Sequence, residues 1–230
     1  ITNVPGYSTA SVAQHVIALI LAYTNGVEQH NESVHQNDWT ESIDFSYWLR
    51  PIIELENNVL GLLGYGQVAK KVATIAKALG MQIIAHKPEP FVDDVALWVT
   101  WEDLLAQSDI LSLHCPLTRE TTKIINKNTL IQMKPTAMLI NTGRGGLIDE
   151  EALSQALKNK QLSVACLDVL TQEPPSAANP LVNLKNCIIT PHVAWASLAA
   201  RKRLLNIICE NIIHFLDQQP INVIKVKGTE

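Results

Sequence analysis

The sequence predicts an α/β protein built on a doubly wound parallel sheet. From residue 58 onwards, short β-type runs alternate with stretches of helical periodicity, and the helical stretches are short enough to act as crossover connections. Buried parallel strands joined by such crossovers form sheets that are covered by helices on both faces. The composition agrees with a folded globular protein, because 47% of the 230 residues are hydrophobic and 17% are charged.

The elements are predicted in order along the chain. An uncharged helix covers 12–23, with Ser11 and Gln14 as its capping box, and its apolar surface all round predicts burial between two layers. Gly80 ends a helix that follows the first strand, and Asp149 caps a helix over 150–160. The final helix runs from Ser197 to Asp217. Strands are predicted at 59–63, 82–86, 110–114, 137–141, 163–168 and 187–190.

Charge, hydropathy and cysteine usage limit the classes of partner. Eighteen Lys and Arg against 22 Asp and Glu give a net charge of -4 without a long run of one sign, so no nucleic-acid partner is predicted. The longest apolar run, Val16 to Tyr23, is too short to cross a bilayer. The four cysteines are widely spaced and form no Cys-x-x-Cys pair. We expect a cytoplasmic protein that does not bind membranes, and no pattern predicts a metal site.

A glycine-rich turn follows the first predicted strand. Its sequence is Gly64-Tyr65-Gly66-Gln67-Val68-Ala69, the G-x-G-x-x-G/A pattern at a strand-to-helix junction. Gly64 allows a tight turn, Gly66 lets the backbone approach a pyrophosphate, and the helix N-terminus attracts the phosphates. Such a pattern alone is often only a turn, but in this context it predicts a Rossmann-type NAD(P)-binding domain.

The second strand bears on the choice between NAD and NADP. Domains that bind NAD are expected to carry Asp or Glu about 20 residues after the glycine turn, where the carboxylate holds the ribose hydroxyls. Here the strand ends His86-Lys87-Pro88, and Glu89 comes two positions late. Lys87 can accommodate a 2′-phosphate or can be an ordinary solvated lysine. NAD is the predicted cofactor, with NADP left open.

Three polar segments follow predicted strands and therefore lie on the carboxyl edge of the sheet, where open α/β sheets bind ligands. They are 141–146, 168–175 and 190–195, and they contain Arg144, Glu173 and His192. A guanidinium suits a substrate carboxylate, and a histidine with a carboxylate partner is a proton donor. Taken singly, Arg144 is more often part of a surface ion pair, Glu173 a loop carboxylate and His192 a structural histidine. Together, beside a dinucleotide pattern, they predict an active site.

These motifs resemble those of the D-isomer-specific 2-hydroxyacid dehydrogenases over nearly the whole chain, from about Val4 to Asp217. The matching segments are 61–66, 113–118, 133–135, 141–145, 167–169 with 173–175, and 190–192. The resemblance implies that Arg144 binds the substrate carboxylate, that His192 is the acid/base and that Glu173 is its partner. It also implies that Asp168 lies near the nicotinamide carboxamide and that Trp195 lines the substrate pocket.

Further predictions rest on this resemblance. Within the family, residues 39–55 and the Ala194-Trp195 pair are most like the glycerate dehydrogenases, also called hydroxypyruvate reductases. The predicted activity is hydride transfer between a nicotinamide cofactor and a small 2-oxo or 2-hydroxy acid, with hydroxypyruvate and glyoxylate favoured. The predicted cofactor contacts are Gly64, Gly66, Gln67, Val68, Lys87, Cys115, Thr142, Asp168 and His192.

The same resemblance predicts how the chain is organised. Residues 1–7 are expected to be a remnant of an N-terminal substrate domain, 8–194 the NAD(P)-binding domain, and 195–230 a helix and tail returning to the substrate domain. The full-length protein is expected to be a homodimer, and the activity of this chain alone is left open. Two other readings remain: an interaction protein similar to nucleotide-sensing corepressors, and an inactive cofactor-binding fragment.

Overall fold

The computed structural model describes residues 1–224 and contains a seven-stranded, fully parallel sheet. The strand order is β3-β2-β1-β4-β5-β6-β7, so the chain winds outwards from β1 in both directions. This confirms the predicted doubly wound sheet. The strands are β1 Val59–Leu63, β2 Gln82–His86, β3 Leu97–Trp98, β4 Ile110–Leu113, β5 Met138–Asn141, β6 Val164–Leu167 and β7 Cys187–Ile189.

All six predicted strands are present, and four of them are one or two residues shorter than predicted. Strand β3 was not predicted, because Leu97–Trp98 is a two-residue edge strand that is too short to show any periodicity in the sequence. The helices are α1 Thr9–Asn25, α2 Val27–His35, α3 Gln67–Ala78, α4 Trp101–Gln107, α5 Lys127–Leu130, α6 Glu150–Lys158 and α7 Leu198–Leu216. Gly80 at φ +82° follows the end of α3 as predicted, and the Asp149 side chain caps α6 by accepting from the Ala152 N–H.

The predicted capping box of α1 is wrong. The helix starts at Thr9, with Ser8 at the N-cap and no side-chain cap, so Ser11 already lies inside its first turn. The Ser11 hydroxyl instead donates to the main-chain oxygen of Ala194, 2.6 Å away and 183 residues along the chain. Ser11 therefore forms a tertiary hydrogen bond instead of the predicted helix cap. The predicted all-round burial is also wrong, because Leu21 is 37% exposed.

The apolar core lies in two layers, one on each face of the sheet. On one face α1 and α3 pack Val16, Ile20 and Val72 against the strands. On the other face, α4 and α6 contribute Leu104 and Leu153. Helices on both faces explain why the central strands are apolar throughout. The carboxyl ends of β1, β2 and β4 are level, since Leu63 pairs with both His86 and Leu113.

Residues near the two ends of the described chain meet. Thr2 and Val223 form an antiparallel bridge, and the Asn3 N–H donates to the Asn222 oxygen over 2.8 Å. The α7 helix lies where predicted, with Ser197 as its N-cap. Its apolar residues are largely exposed, with Phe215 at 67%.

No single helix in residues 1–224 has the length and apolar composition of a membrane span. Only the pair of α1 and α2, bent by 53°, passes such a test when taken together.

Candidate active site at the carboxyl edge of the sheet

The glycine turn between β1 and α3 is shaped by close backbone packing. Gly64 has φ +86°, and a Cβ built on it would lie 2.7 Å from the main-chain nitrogen of Cys115. Only glycine fits that conformation and that approach. The turn is fixed further by the Gly64 N–H, which donates to the His86 oxygen over 2.8 Å. The loops after β1, β2 and β4 therefore converge at this turn.

Gly66 has the opposite surroundings and suits a dinucleotide. A Cβ built on Gly66 meets no atom within 4 Å, and Gly66 is an N-cap without a side-chain hydrogen bond. Gln67 and Val68 begin α3 directly after Gly66, and no acidic residue in the first turn opposes an anion at this helix N-terminus. Along the same edge, the buried Thr142 hydroxyl has no hydrogen-bond partner. An anion-accepting helix end and an unpaired buried hydroxyl fit a bound NAD(P).

Lys87, the residue predicted to lie near the cofactor ribose, comes immediately after β2. The Lys87 Nζ lies over the Phe91 ring, 5.6 Å from its centroid, and Phe91 stacks on Tyr65 of the glycine turn at 4.6 Å. The nearby Asp93 is engaged elsewhere, because it accepts from the Tyr65 hydroxyl at 2.8 Å and pairs with Lys70 at 3.5 Å. Bonds from the Val95 N–H and from Tyr65 lower the pKa of Asp93. A charged amine, not a carboxylate, therefore occupies the position after β2.

Burial governs the two groups that follow β4. It lowers the pKa of His114 to about 4, so this imidazole is neutral near pH 7, and its Nε2 lies 3.0 Å from the Ser112 hydroxyl. Burial also raises the pKa of the Cys115 thiol. Cys115 is therefore an uncharged group beside Gly64, which suits a contact with the neutral part of a cofactor.

The loop after β5 presents Arg144 to solvent. Asn141 is buried at the end of the strand, and it holds the loop by accepting from the Gly143 N–H at 3.0 Å and donating to the Arg144 oxygen at 2.9 Å. Gly145 is required here, since a Cβ would lie 2.0 Å from the main-chain carbon of Leu170. The backbone is thus fixed on both sides of Arg144, while the guanidinium is exposed.

Glu173 and His192 form the pair that the sequence predicted. The His192 Nδ1 lies 2.6 Å from the Glu173 Oε2, and the other carboxylate oxygen accepts from the Leu170 N–H at 2.9 Å. Partial burial raises the pKa of Glu173, but the bonds from His192 and Leu170 and the charges of His192 and Arg144 outweigh it, so the net pKa is lowered. The carboxylate is ionised at neutral pH and orients the ring, which leaves Nε2 free for a substrate.

Asp168 lies at the end of β6 and is 1% exposed. Its carboxylate accepts from the Thr190 hydroxyl at 2.6 Å and from the N–H groups of Val193 and Ala194 at 2.9 Å each. A contact with the nicotinamide carboxamide stays a prediction. The sequence analysis did not find this network, because nothing in the sequence links Asp168 to a segment more than 20 residues away.

Trp195 comes directly after Ala194 in the chain, and its side chain is half-buried. Its ring meets the Tyr7 ring edge-on, with centroids 6.4 Å apart. Between the ends of β6 and β7 lies an open cleft of about 420 Å³, lined by Asp168, Leu170, Glu173, Pro174, Pro175, Ile189, Thr190, Pro191 and His192. The predicted proton donor and its partner therefore share one cleft, of a size that suits a small molecule.

A glycine turn that accepts a dinucleotide, with an Arg, Glu and His set on the same sheet edge, defines the class of nicotinamide-dependent oxidoreductases. Comparison with known proteins agrees. Residues 17–194 match the family model "D-isomer specific 2-hydroxyacid dehydrogenase, NAD binding domain". The chain belongs to this family.

Individual relatives and structures are similar over most of the chain. A hydroxypyruvate reductase from Blautia hydrogenotrophica is 41% identical, and the match covers 97% of this chain and 70% of the relative. A glycerate dehydrogenase from Methylorubrum extorquens is 40% identical, over 98% and 71% of the two chains. The solved acyclic imino acid reductase Bsp5, in complex with NADPH and D-Arg, superposes with a TM-score of 0.85 at 37% identity, covering 97% of this chain and 70% of that one.

Proposed function

We propose that the protein uses NAD(P)H to reduce the C2 carbonyl of a small 2-oxo acid, with hydroxypyruvate and glyoxylate as the favoured substrates. The observation that carries the proposal is the Glu173–His192 pair at 2.6 Å, on the same sheet edge as Arg144 and the glycine turn. The similarity to hydroxypyruvate reductase and glycerate dehydrogenase supports the choice of substrate. Their substrates carry a carboxylate beside the reacting carbonyl, which suits an arginine next to a proton donor.

The roles of the residues follow from their chemistry. When bound, the reduced nicotinamide supplies a hydride to C2 of the substrate. Arg144 holds the substrate carboxylate through its guanidinium fork, which fixes the carbonyl within reach of His192. His192 gives its proton to the carbonyl oxygen as that oxygen gains negative charge, and Glu173 stabilises the imidazolium before transfer. Trp195, which packs on Tyr7, is proposed to border the substrate outside the cleft described above.

We propose NAD as the cofactor, with NADP tolerated. The match to an NAD-binding family supports NAD, whereas Lys87 and the similarity to an NADPH complex support tolerance of a 2′-phosphate. A single lysine gives a weak phosphate site, and the neighbouring Lys70 is already paired with Asp93. The cofactor contacts proposed are those predicted from the sequence, from Gly64 to His192.

We also propose that the protein forms a homodimer and acts in the cytoplasm. Apolar side chains are unusually exposed in residues 39–53, with Ile43 at 101%, Phe45 at 92% and Trp48 at 68%. Self-association would remove this surface from water. The proposed division into 1–7, 8–194 and 195–230 is supported by the bridge between Thr2 and Val223, which joins the first and last parts. Analytical ultracentrifugation of Phe45→Ser against wild type tests the dimer.

The activity is tested on protein expressed from the complete reading frame. NADH and NADPH oxidation is followed by absorbance with hydroxypyruvate, glyoxylate and pyruvate. We expect turnover with at least one of the first two, and only a small residual rate in His192→Asn, which should still bind cofactor. Gln14→Ala, an exposed substitution on α1, is the control and should be as active as wild type. No oxidation with any 2-oxo acid, or full activity in His192→Asn, would contradict the proposal.

A further inference from the structure

Helix α1 contacts the segment that carries His192 at two points. The Ser11 hydroxyl donates to the Ala194 oxygen at 2.6 Å, and the His15 Nε2 lies 3.0 Å from the Thr190 hydroxyl. Ser11 and His15 are four residues apart and so share one face of the helix. That face of α1 therefore contacts residues on both sides of His192.

The hydrogen bonds give the direction of this contact. The Thr190 hydroxyl donates its only hydrogen to the Asp168 Oδ1 at 2.6 Å, so it presents lone pairs to His15. The His15 Nε2 must then carry a hydrogen and donate it. The same nitrogen lies 3.5 Å from the Asp168 Oδ1, and in the described part of the chain His15 is the only basic side chain paired with Asp168.

Asp168 in turn holds the backbone of the His192 segment. Its main-chain oxygen accepts from the His192 N–H at 2.9 Å, and its carboxylate accepts from the next two N–H groups, of Val193 and Ala194. The Asp168 side chain is almost fully buried, so the loss of any of these hydrogen-bond partners is costly. The backbone and the carboxylate therefore hold one another in place.

His192 requires such support. Its φ is +54°, in the left-handed region that most residues avoid. Its side chain is 42% exposed, and Glu173 fixes the ring from the Nδ1 side only. The direction of Nε2 therefore depends on how firmly the backbone at 192 is held, and a small displacement of a proton donor slows transfer strongly.

We propose that His15 is a positioning residue for proton transfer by His192, acting through Thr190 and Asp168. The inference rests on the proposed function, and no contact of His15 with substrate is involved. If α1 only packed on the sheet, substitutions on its His15 face would change stability alone. If that face positions His192, the same substitutions slow proton transfer while substrate and cofactor still bind.

The first test compares kinetic constants. His15→Ala should lower kcat about tenfold and leave KM and the cofactor Kd within about twofold, because coupling energies in such networks correspond to factors of this size. His15→Gln should recover most of the rate, since its amide N–H can donate to Thr190. Thr190→Val, which removes the hydroxyl at constant shape, should repeat the loss, and Thr190→Ser should not. Gln14→Ala is the matched control. Equal losses in His15→Ala and His15→Gln would overturn the inference.

The deciding experiment is a double-mutant cycle with His192→Asn, measured in single turnovers by the residual rate and by cofactor fluorescence. If His15 acts through His192, His15→Ala slows the His192 enzyme about tenfold and has no effect without His192. The same slowing factor in both backgrounds would overturn the inference and leave the proposed function intact. Unimpaired turnover in His192→Asn alone would instead overturn the proposed function and the inference with it.

Discussion

The two halves of the sheet's carboxyl edge are built in different ways. Around β1 and β2 the shape depends on the absence of side chains: Gly64 admits the Cys115 backbone, and Gly66 leaves open space at the start of α3. Around β5 to β7 it depends on side chains that bind the main chain. Asn141 holds the Arg144 loop, and Asp168 holds the His192 segment.

This difference separates the predicted pyrophosphate and ribose contacts from the residues of proton transfer. Changes in the glycine half should alter how the cofactor binds, whereas changes to Arg144 or Glu173 should alter the rate at a given cofactor occupancy. Each substitution below changes one half and leaves the other as an internal control.

The largest effect is expected for Arg144→Lys. The substitution keeps the charge but loses the two-pronged geometry that holds a carboxylate, so kcat/KM should fall by at least ~10²-fold, or ~2.7 kcal/mol. Steady-state kinetics with hydroxypyruvate measure the loss. Cofactor affinity, measured by fluorescence titration, should be nearly unchanged, and near-normal turnover would exclude the role of Arg144.

The glycine half offers a matched pair. Gly66→Ala adds a methyl group to open space, so thermal stability should be unchanged while the Kd for NADH rises about tenfold or more, because the methyl group stands where a pyrophosphate would lie. Gly64→Ala forces φ +86° and a 2.7 Å contact on alanine, and should lower the free energy of unfolding by about 2 kcal/mol or more. Calorimetry and titration separate the two effects; a destabilised Gly66→Ala would show that its surroundings are not open.

A smaller effect is expected at Lys87, the residue predicted to lie near the cofactor ribose. Lys87→Asp adds an acceptor for ribose hydroxyls and repels a 2′-phosphate, so the ratio of NADH to NADPH efficiency should rise by about fivefold or more. Titration with 2′,5′-ADP and with ADP gives the same comparison without turnover. If neither ratio changes, Lys87 does not contact the ribose.

The smallest effect is a change in pH dependence. The pKa of Glu173 is lowered, so its carboxylate is ionised throughout the neutral range and favours the protonated form of His192. Glu173→Gln removes that charge, so the proton donor is lost at lower pH and the falling limb of the pH–rate profile for reduction moves to lower pH. We expect a modest displacement, because the pair is partly exposed to solvent. A limb that moved upwards would exclude Glu173 as the electrostatic partner.

Much of the fold could be predicted because its signals are local. The glycine turn, the Gly80 stop and the Asp149 cap each depend on residues within one turn of chain, and each was predicted correctly. The two-residue strand β3 carries no pattern, and Ser11 was assigned to a cap because its true partner, Ala194, is distant in sequence.

In the site, too, features with a local signal were predicted and contacts between distant residues were not. Arg144, Glu173 and His192 were predicted because each follows a strand in a polar segment, and strand ends converge on one edge. The supporting groups were not predicted: His15 lies in an apolar helix and reads there as a packing residue, and the Asp168 carboxylate depends on contacts more than 20 residues away. Such networks appear only once the chain is folded.

The most direct test of the account follows the hydride itself. Protein from the complete reading frame is incubated with hydroxypyruvate and NADH that carries deuterium at both positions of nicotinamide C4, and the glycerate is analysed by mass spectrometry and chiral chromatography. The account predicts D-glycerate carrying one deuterium at C2 in the wild type and the Gln14→Ala control, and only a small fraction of that product in the same time in His192→Asn. Glycerate without the label, the L isomer, or labelled product at full rate in His192→Asn would contradict it.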